Sequence, residues 1–262
     1  MITPKRRGYP TDLTDEEWAT IEPFVPKPKI GPNPRKHEPR EIVNALVYKA
    51  KTGCQWRMLP SDFAPWHTVA SYFYRWRDDG IFEDILKAIN GIARLQSNRE
   101  HAPSLAIIDS QSVKSSHGGE AIGIDGAKRV HGRKRHIMVD ALGLLLAVIV
   151  TAANVCDRVP YRELSHAGRA MSPRLEKILV DSAYNGDAIR IAEKETGIVA
   201  EMSKRSDAAV GFVPEMIRWR VERTFGWFNY MRQLSREYDR TVASSEAWVQ
   251  IVGIHYALRT AA

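Results

Sequence analysis

Apolar positions in the first hundred residues recur at intervals of three and four, the spacing of one face of an α-helix. Thr14-Asp-Glu-Glu17 has the residue types of a capping box. Leu13 and Trp18 flank it as a hydrophobic staple, so a helix is predicted to start near Asp15. Ile42, Val43, Leu46, Val47 and Ala50 line one face of a second helix. Pro39 suits its first turn and Gly53 is placed to end it. Residues 65–79 predict a third helix, stopped by Gly80, and residues 82–96 a fourth. Residues 26–40 are rich in Pro, Lys and Arg and predict an irregular basic loop, and residues 97–103 read as a linker.

Beyond the linker the pattern changes. Leu105-Ala-Ile-Ile-Asp109 is a short apolar run ending in an acid, the signature of a buried strand. Residues 135–141 and 144–152 predict two strands joined at Gly143. Residues 160–171 predict a helix. Lys177-Ile-Leu-Val-Asp181 repeats the strand-then-acid pattern, a helix over 185–196 closes at Gly197, and residues 198–202 predict a further strand. Pro214 opens a long helix to about Met231, and Ser244 or Ser245 caps a last one to Leu258. A hairpin followed by alternating strands and helices fits a mixed α/β sheet covered by helices. The chain therefore divides into a helical, helix-turn-helix-like domain over residues 1–100 and a mixed α/β domain over residues 101–262.

The 262 residues carry a formal charge of +7, spread over both halves, which favours polyanions and nucleic acid first among them. No apolar run reaches membrane-spanning length, the basic start lacks an apolar signal core, and no membrane partner is expected. Cys54 and Cys156 form neither a metal spacing nor a disulfide framework, which points to a reducing cytosol.

In an open sheet, functional groups gather beyond the carboxyl ends of the strands, so Asp109 and Asp181 could converge. Glu222 borders the apolar face made by Ile217, Val221, Phe225 and Phe228, from which it could reach over the sheet. Three converging carboxylates repel one another unless protonated or bound to cations. Mg²⁺ takes such oxygen ligands, and paired ions can hold the attacking and leaving oxygens of a phosphoryl displacement. An acid after a strand is also an ordinary turn or helix cap, and spacing alone leaves both readings open.

Several longer motifs go further. Ile107-Ile-Asp109-Ser-Gln-Ser-Val-Lys114, Val130-His-Gly-Arg-Lys-Arg-His136, Val139-Asp-Ala-Leu-Gly143, Leu179-Val-Asp181-Ser-Ala-Tyr184 and Val221-Glu222-Arg-Thr-Phe-Gly-Trp-Phe228 resemble the DDE transposases of bacterial insertion sequences, in the group numbered five. Tyr9-Pro-Thr-Asp-Leu-Thr-Asp15, Gly53-Cys-Gln-Trp-Arg-Met-Leu-Pro60 and Trp66-His-Thr-Val69 resemble the leading domain of the same family, so the likeness covers nearly the whole chain. The resemblance implies an RNase H-like catalytic domain, DNA transposition, and Asp109, Asp181 and Glu222 as catalytic and metal-binding residues. It implies Mg²⁺ or Mn²⁺, as two ions. Its Tyr-Arg-Glu-Lys signature is matched by Arg218 and Glu222, but Glu215 stands in the Tyr position and Asn229 in the Lys position.

Lys128, Arg129, Arg133, Lys134 and Arg135 cluster beside the first hairpin as candidate phosphate contacts or as a solvated loop. Arg218 and Arg223 lie within one turn of Glu222. They either bind phosphates or, for Arg218, pair with Glu222 along the helix. In the third helix His67, Thr68 and Ser71 are placed to read base edges and Arg75 and Arg77 to hold the backbone. His131 and His136 read as an ordinary polar pair, and Asp125, Asp140 and Asp157 as acids outside the catalytic set, with Asp140, which could assist a metal, better suited to the hairpin turn. The expected partners are double-stranded DNA, as terminal inverted repeats and target, and a second copy of the chain when assembled on DNA. The expected place is the cytoplasm, with the nucleoid when DNA is bound. A nuclease that cuts without joining and an inactive DNA-binding regulator are the alternatives.

Overall fold

The computed structural model describes residues 8–26, 37–181, 184, 186–202 and 219–261. The helices of the first part are α1 (Asp15–Ile21), α2 (Pro39–Thr52), α3 (Trp66–Asp78) and α4 (Ile81–Gln96). Thr14 and Glu17 form the reciprocal capping box, and Gly53 ends α2 with a φ of 65°, a left-handed conformation that a side chain would disfavour. The connection from α2 to α3 includes a 3₁₀ turn at Trp56–Met58, so it is longer than the tight turn of a compact helix-turn-helix. The basic loop predicted over 26–40 falls mostly on residues 27–36, outside the described residues.

The second part contains β1 (Leu105–Lys114), β2 (Gly123–Asp125), β3 (Val130–Asp140), β4 (Leu145–Ala152), α5 (Tyr161–Met171), β5 (Lys177–Val180), α6 (Asp187–Thr196), β6 (Val199–Met202), α7 (Trp219–Asn229) and α8 (Val242–Ala261). The sheet runs β2-β3-β1-β5-β6, with β4 also paired to β3. β1 is antiparallel to β3 and parallel to β5, and β5 is parallel to β6. This is the mixed α/β architecture expected of an RNase H-like catalytic domain behind a helical region.

The strand predicted over 135–141 starts earlier, at Val130, and two other strands differ from expectation. β1 does not end at Asp109 but continues to Lys114, because Ser110–Lys114 keep their ladder to β3. The polar run Ser110-Gln-Ser hid that extension. β2 is short and lacked a period to detect. The predicted start of α7 at Pro214 lies outside the described residues.

The sheet separates two apolar layers. Ala106, Ile108, Met138, Ile178 and Val180 face α5 and α6. Ile107, Ile137, Val139 and Leu179 face the other way, into a core that also takes α7, α8 and the helices of the first part. The two regions separated by sequence thus share one core. α8 lies at its centre, with Trp248, Val249 and Val252 fully buried. Trp248 stacks on Phe73 of α3, and the buried Lys49 of α2 lies over the Trp248 and Trp56 rings while donating to Gln233 Oε1 at 2.7 Å.

The strongest polar anchor lies on the same side. Alternation on β3 points Arg133 and Arg135 inward, both almost completely buried, and Glu237 receives them. Arg133 Nη1 donates to Glu237 Oε2 at 3.3 Å, Ser245 Oγ donates to the same oxygen at 2.8 Å, and Arg135 binds the other oxygen. Burial pushes the Glu237 carboxyl up, but Arg135, Ser245 and Arg133 outweigh it and hold the group below the usual range. Replacing Glu237 by Gln at neutral pH would leave two buried guanidiniums uncompensated. A loss of about 3–5 kcal/mol in unfolding free energy is expected, read by denaturant titration.

Candidate active site

Asp109 and Asp181 are placed by strand register. β1 and β5 pair as Leu105 with Lys177, Ala106 with Ile178 and Ile107 with Leu179. Continuing that offset by two residues would put Asp109 level with Asp181, just beyond the last paired residues, Ile107 and Leu179. By alternation both share the face of Ile107 and Leu179, the face covered by α7. Both are half-buried. The parallel ladder stops at Ile107 while β1 goes on along β3, so the sheet splits where the aspartates stand.

Glu222 is on α7, whose buried side, Val221, Thr224, Phe225 and Phe228, packs on β1 and β3. Its own side chain is exposed. Among the described residues no group of three or more His, Cys, Asp or Glu side chains is close enough to hold a metal ion. Asp109 and Asp181 thus belong to two strands that pair side by side, and Glu222 to the helix that packs across them. In donor chemistry the pair fits a divalent cation, which takes carboxylate oxygens readily.

The face behind the aspartates is polar as well. Lys134 Nζ pairs with Asp157 Oδ1 at 2.9 Å and donates to Val155 O at 2.9 Å. His136 is fully buried, its Nε2 3.0 Å from Thr151 Oγ1. Tyr184 folds back after β5, its N–H donating to Asp181 O at 3.2 Å. Burial pushes its phenol strongly up, and Asp157, Asp109 and Asp181 push it further.

The predicted DNA contacts divide sharply. His67, Ser71 and Arg75 lie on the exposed side of α3 and Thr68 at its edge, and Lys128 is exposed in a turn. Arg133, Lys134 and Arg135 correct the expectation. They are buried and held by Glu237, Asp157 and backbone carbonyls, so burial removes them from any phosphate. Arg77 is likewise taken up, donating to Ser244 Oγ at 2.8 Å and to Asp78 Oδ1 at 2.7 Å. Arg223 donates to Leu142 O at 2.6 Å and lies between the Trp219 and Trp227 rings, so it fastens α7 to the β3–β4 turn instead of facing solvent. Arg218 lies outside the described residues.

The turn acids behave as expected. Asp140 is fully buried, accepts the Leu142 and Leu144 N–H groups at 2.8 and 2.9 Å, and pairs with Arg94. Asp125 accepts the Ala127 and Lys128 N–H groups at 3.1 and 3.0 Å.

Comparison with known proteins now becomes decisive. The profile described as transposase DDE domain matches residues 100–256, and that of a transposase of the IS4/5 family matches residues 13–86. The chain belongs to the DDE transposases. It is 32% identical over 127 residues to a Burkholderia cepacia protein named as a transposase for insertion sequence element IS402, covering 46% of this chain and 60% of that protein. It is 30% identical over 84 residues to the uncharacterized protein y4sN of Sinorhizobium fredii, covering 32% of this chain and 67% of that one. Among solved structures it is similar to a pre-cleavage Mos1 transpososome, at 13% identity and a TM-score of 0.31, covering 90% of this chain and 80% of that one. Among the described residues of this transposase no helix is long and apolar enough to cross a membrane.

The buried histidine gives a pH prediction. Burial lowers the His136 pKa from 6.5 to about 4, against a smaller opposing pull from Asp157. The unfolded chain therefore takes up a proton first. The contribution is complete above about pH 6.5 and is lost as pH falls towards 4, amounting to about 3 kcal/mol. His255 is buried with the same shift. Glu246, pushed up to about 7 by burial, contributes an opposing slope, so His136→Gln should lower the slope of unfolding free energy against pH by about 1.4 kcal/mol per pH unit in that window.

Proposed function

We propose that this transposase catalyses metal-dependent phosphodiester hydrolysis and strand transfer at the ends of its insertion sequence. The observation that supports this best is the parallel pairing of the two strands that lead to Asp109 and Asp181. Asp109 and Asp181 would hold the divalent cation, Mg²⁺ or Mn²⁺, with Glu222 as the third ligand in a two-ion site. The metal, when bound, polarises phosphate oxygens and lowers the pKa of an attacking hydroxyl or water. The aspartates would hold the cation on the face of the sheet that α7 covers. Glu222 stands on the helix that covers that face, and a modest shift of α7 on assembly with DNA would bring it to the pair.

DNA would be held by the exposed side of α3, through His67, Thr68, Ser71 and Arg75, and by Lys128, with Arg218 next to the catalytic helix. The first hundred residues would thus serve as the DNA-binding domain and residues 101–262 as the catalytic domain. Two element ends must be held together for joining, so the working assembly on DNA would contain at least two copies of the chain.

Asp109→Asn, Asp181→Asn and Glu222→Gln should each reduce cleavage of a duplex carrying the terminal inverted repeat by at least about a hundredfold. Binding of the same duplex, read by fluorescence anisotropy, should stay within about twofold, since none of the three is a phosphate contact. Normal strand joining by any of these variants would refute the assignment. Nicks without joined molecules in the wild-type reaction would mark a nuclease, and no cleavage with intact binding a regulator.

A further inference from the structure

The chain between α7 and α8 is held in place on three sides. Its 3₁₀ turn, Arg232–Leu234, packs on the end of α2, where a Cβ added at Gly53 would lie 3.0 Å from Arg232 Cβ. Leu234 O accepts from Arg135 Nη1 at 2.7 Å, and Glu237 exchanges backbone hydrogen bonds with Lys114 and Ser116 at the end of β1. The acids of this segment are spent inward. Glu237 is buried against Arg133 and Arg135, and Asp239 accepts from Gln233 Nε2 at 2.9 Å and from Trp248 Nε1 at 3.2 Å.

What the segment shows to solvent is therefore cationic. Arg232 and Arg236 are exposed, and neither has an ion pair among the described residues. Glu237 points inward, so its neighbours Arg236 and Tyr238 turn outward where the backbone pairs with Ser115. Tyr238 is 40% exposed and Tyr230, just after α7, 71% exposed. Large rings beside free cations are the side chains that suit a nucleic-acid surface. On the α2 side of Gly53 the chain leads to Arg57, also exposed and without an ion pair among the described residues, its guanidinium 5.7 Å from the Trp66 ring at the start of α3.

We propose that Arg57, Arg232 and Arg236 form a phosphate track for duplex DNA, leading from the start of α3 past the end of α2 to the segment that follows α7. A guanidinium on a phosphate oxygen gives affinity and register without reading sequence. The backbone that carries Arg232 and Arg236 is already fixed by α2 and the sheet, so little order has to be imposed on binding. The track fills the role that Arg133, Lys134 and Arg135 cannot, since those side chains are buried. This inference rests on the reading of duplex DNA as the ligand.

The test is Arg232→Gln with Arg236→Gln in the full chain, read by fluorescence anisotropy on a terminal-repeat duplex and on a duplex of unrelated sequence, each over a range of salt. Affinity for both duplexes should fall by the same factor, at least about tenfold at about 0.1 M salt. The slope of log affinity against log salt should become shallower by about 1.8, at about 0.9 for each phosphate released, and adding Arg57→Gln should remove about 0.9 more. Arg232→Lys with Arg236→Lys keeps the charge and should keep the wild-type slope, which a role in packing alone would not predict. Arg99→Gln with Lys194→Gln removes the same charge from exposed positions elsewhere and should leave affinity within about twofold. An equal loss in that control would reduce the effect to net charge and overturn the proposal. Wild-type affinity and slope in the Arg232→Gln, Arg236→Gln variant overturn it too, and so does a loss confined to the terminal-repeat duplex, which would make these residues base readers. Arg75→Gln runs in parallel. If it weakens binding and the Arg232→Gln, Arg236→Gln variant does not, only the track fails. If the wild-type chain binds neither duplex, the DNA reading itself fails and the track with it.

Discussion

Two arginines on one face of β3 meet a single carboxylate, and much of the molecule hangs on that meeting. Arg133 and Arg135 alternate with Lys134 and so point together towards α8. Buried guanidiniums without a counter-charge would not be tolerated. Glu237 supplies the charge, and its backbone joins the end of β1, with its N–H donating to Lys114 O at 3.0 Å and its C=O accepting from Ser116 N. The connection between α7 and α8 is thereby pinned to the sheet. Arg133 adds bonds to the Glu120, Asp239, Arg240 and Thr241 carbonyls, so one side chain ties the turn before β2 to the start of α8.

From that pin the rest of the packing follows. With α8 fixed, its apolar surface becomes the floor on which α2, α3 and α4 assemble. Lys49 reaches the same connection through Gln233, and Arg77 reaches the start of α8 through Ser244. The helical region is therefore not tethered to the sheet by a linker alone. DNA held on the exposed side of α3 would be rigidly referred to the aspartates through α8.

At the other end of β3 a second device holds α7. Asp140 shapes the turn and Gly143 bends it with a φ of 83°, where an added Cβ would lie 3.0 Å from both Arg223 Nη2 and Thr224 Oγ1. Thr224 Oγ1 donates to Gly143 O at 2.9 Å. Glu222, next along the helix, takes its position from this contact, while the aspartates take theirs from strand pairing. Two independent frames thus set α7 and the strands that carry Asp109 and Asp181.

The sequence by itself determined the helices, their caps and most strands, because capping residues, glycines and periodicity act locally. Thr14 with Glu17, Gly53 and Gly143 needed no distant partner to be understood. The strands that carry Asp109 and Asp181 were legible as two apolar runs ending in acids, since strand period acts locally. The basic cluster was not legible. Charge and spacing are the same for an arginine on a phosphate and one inside the fold, and only the inward side of β3 and the distant Glu237 decided between them.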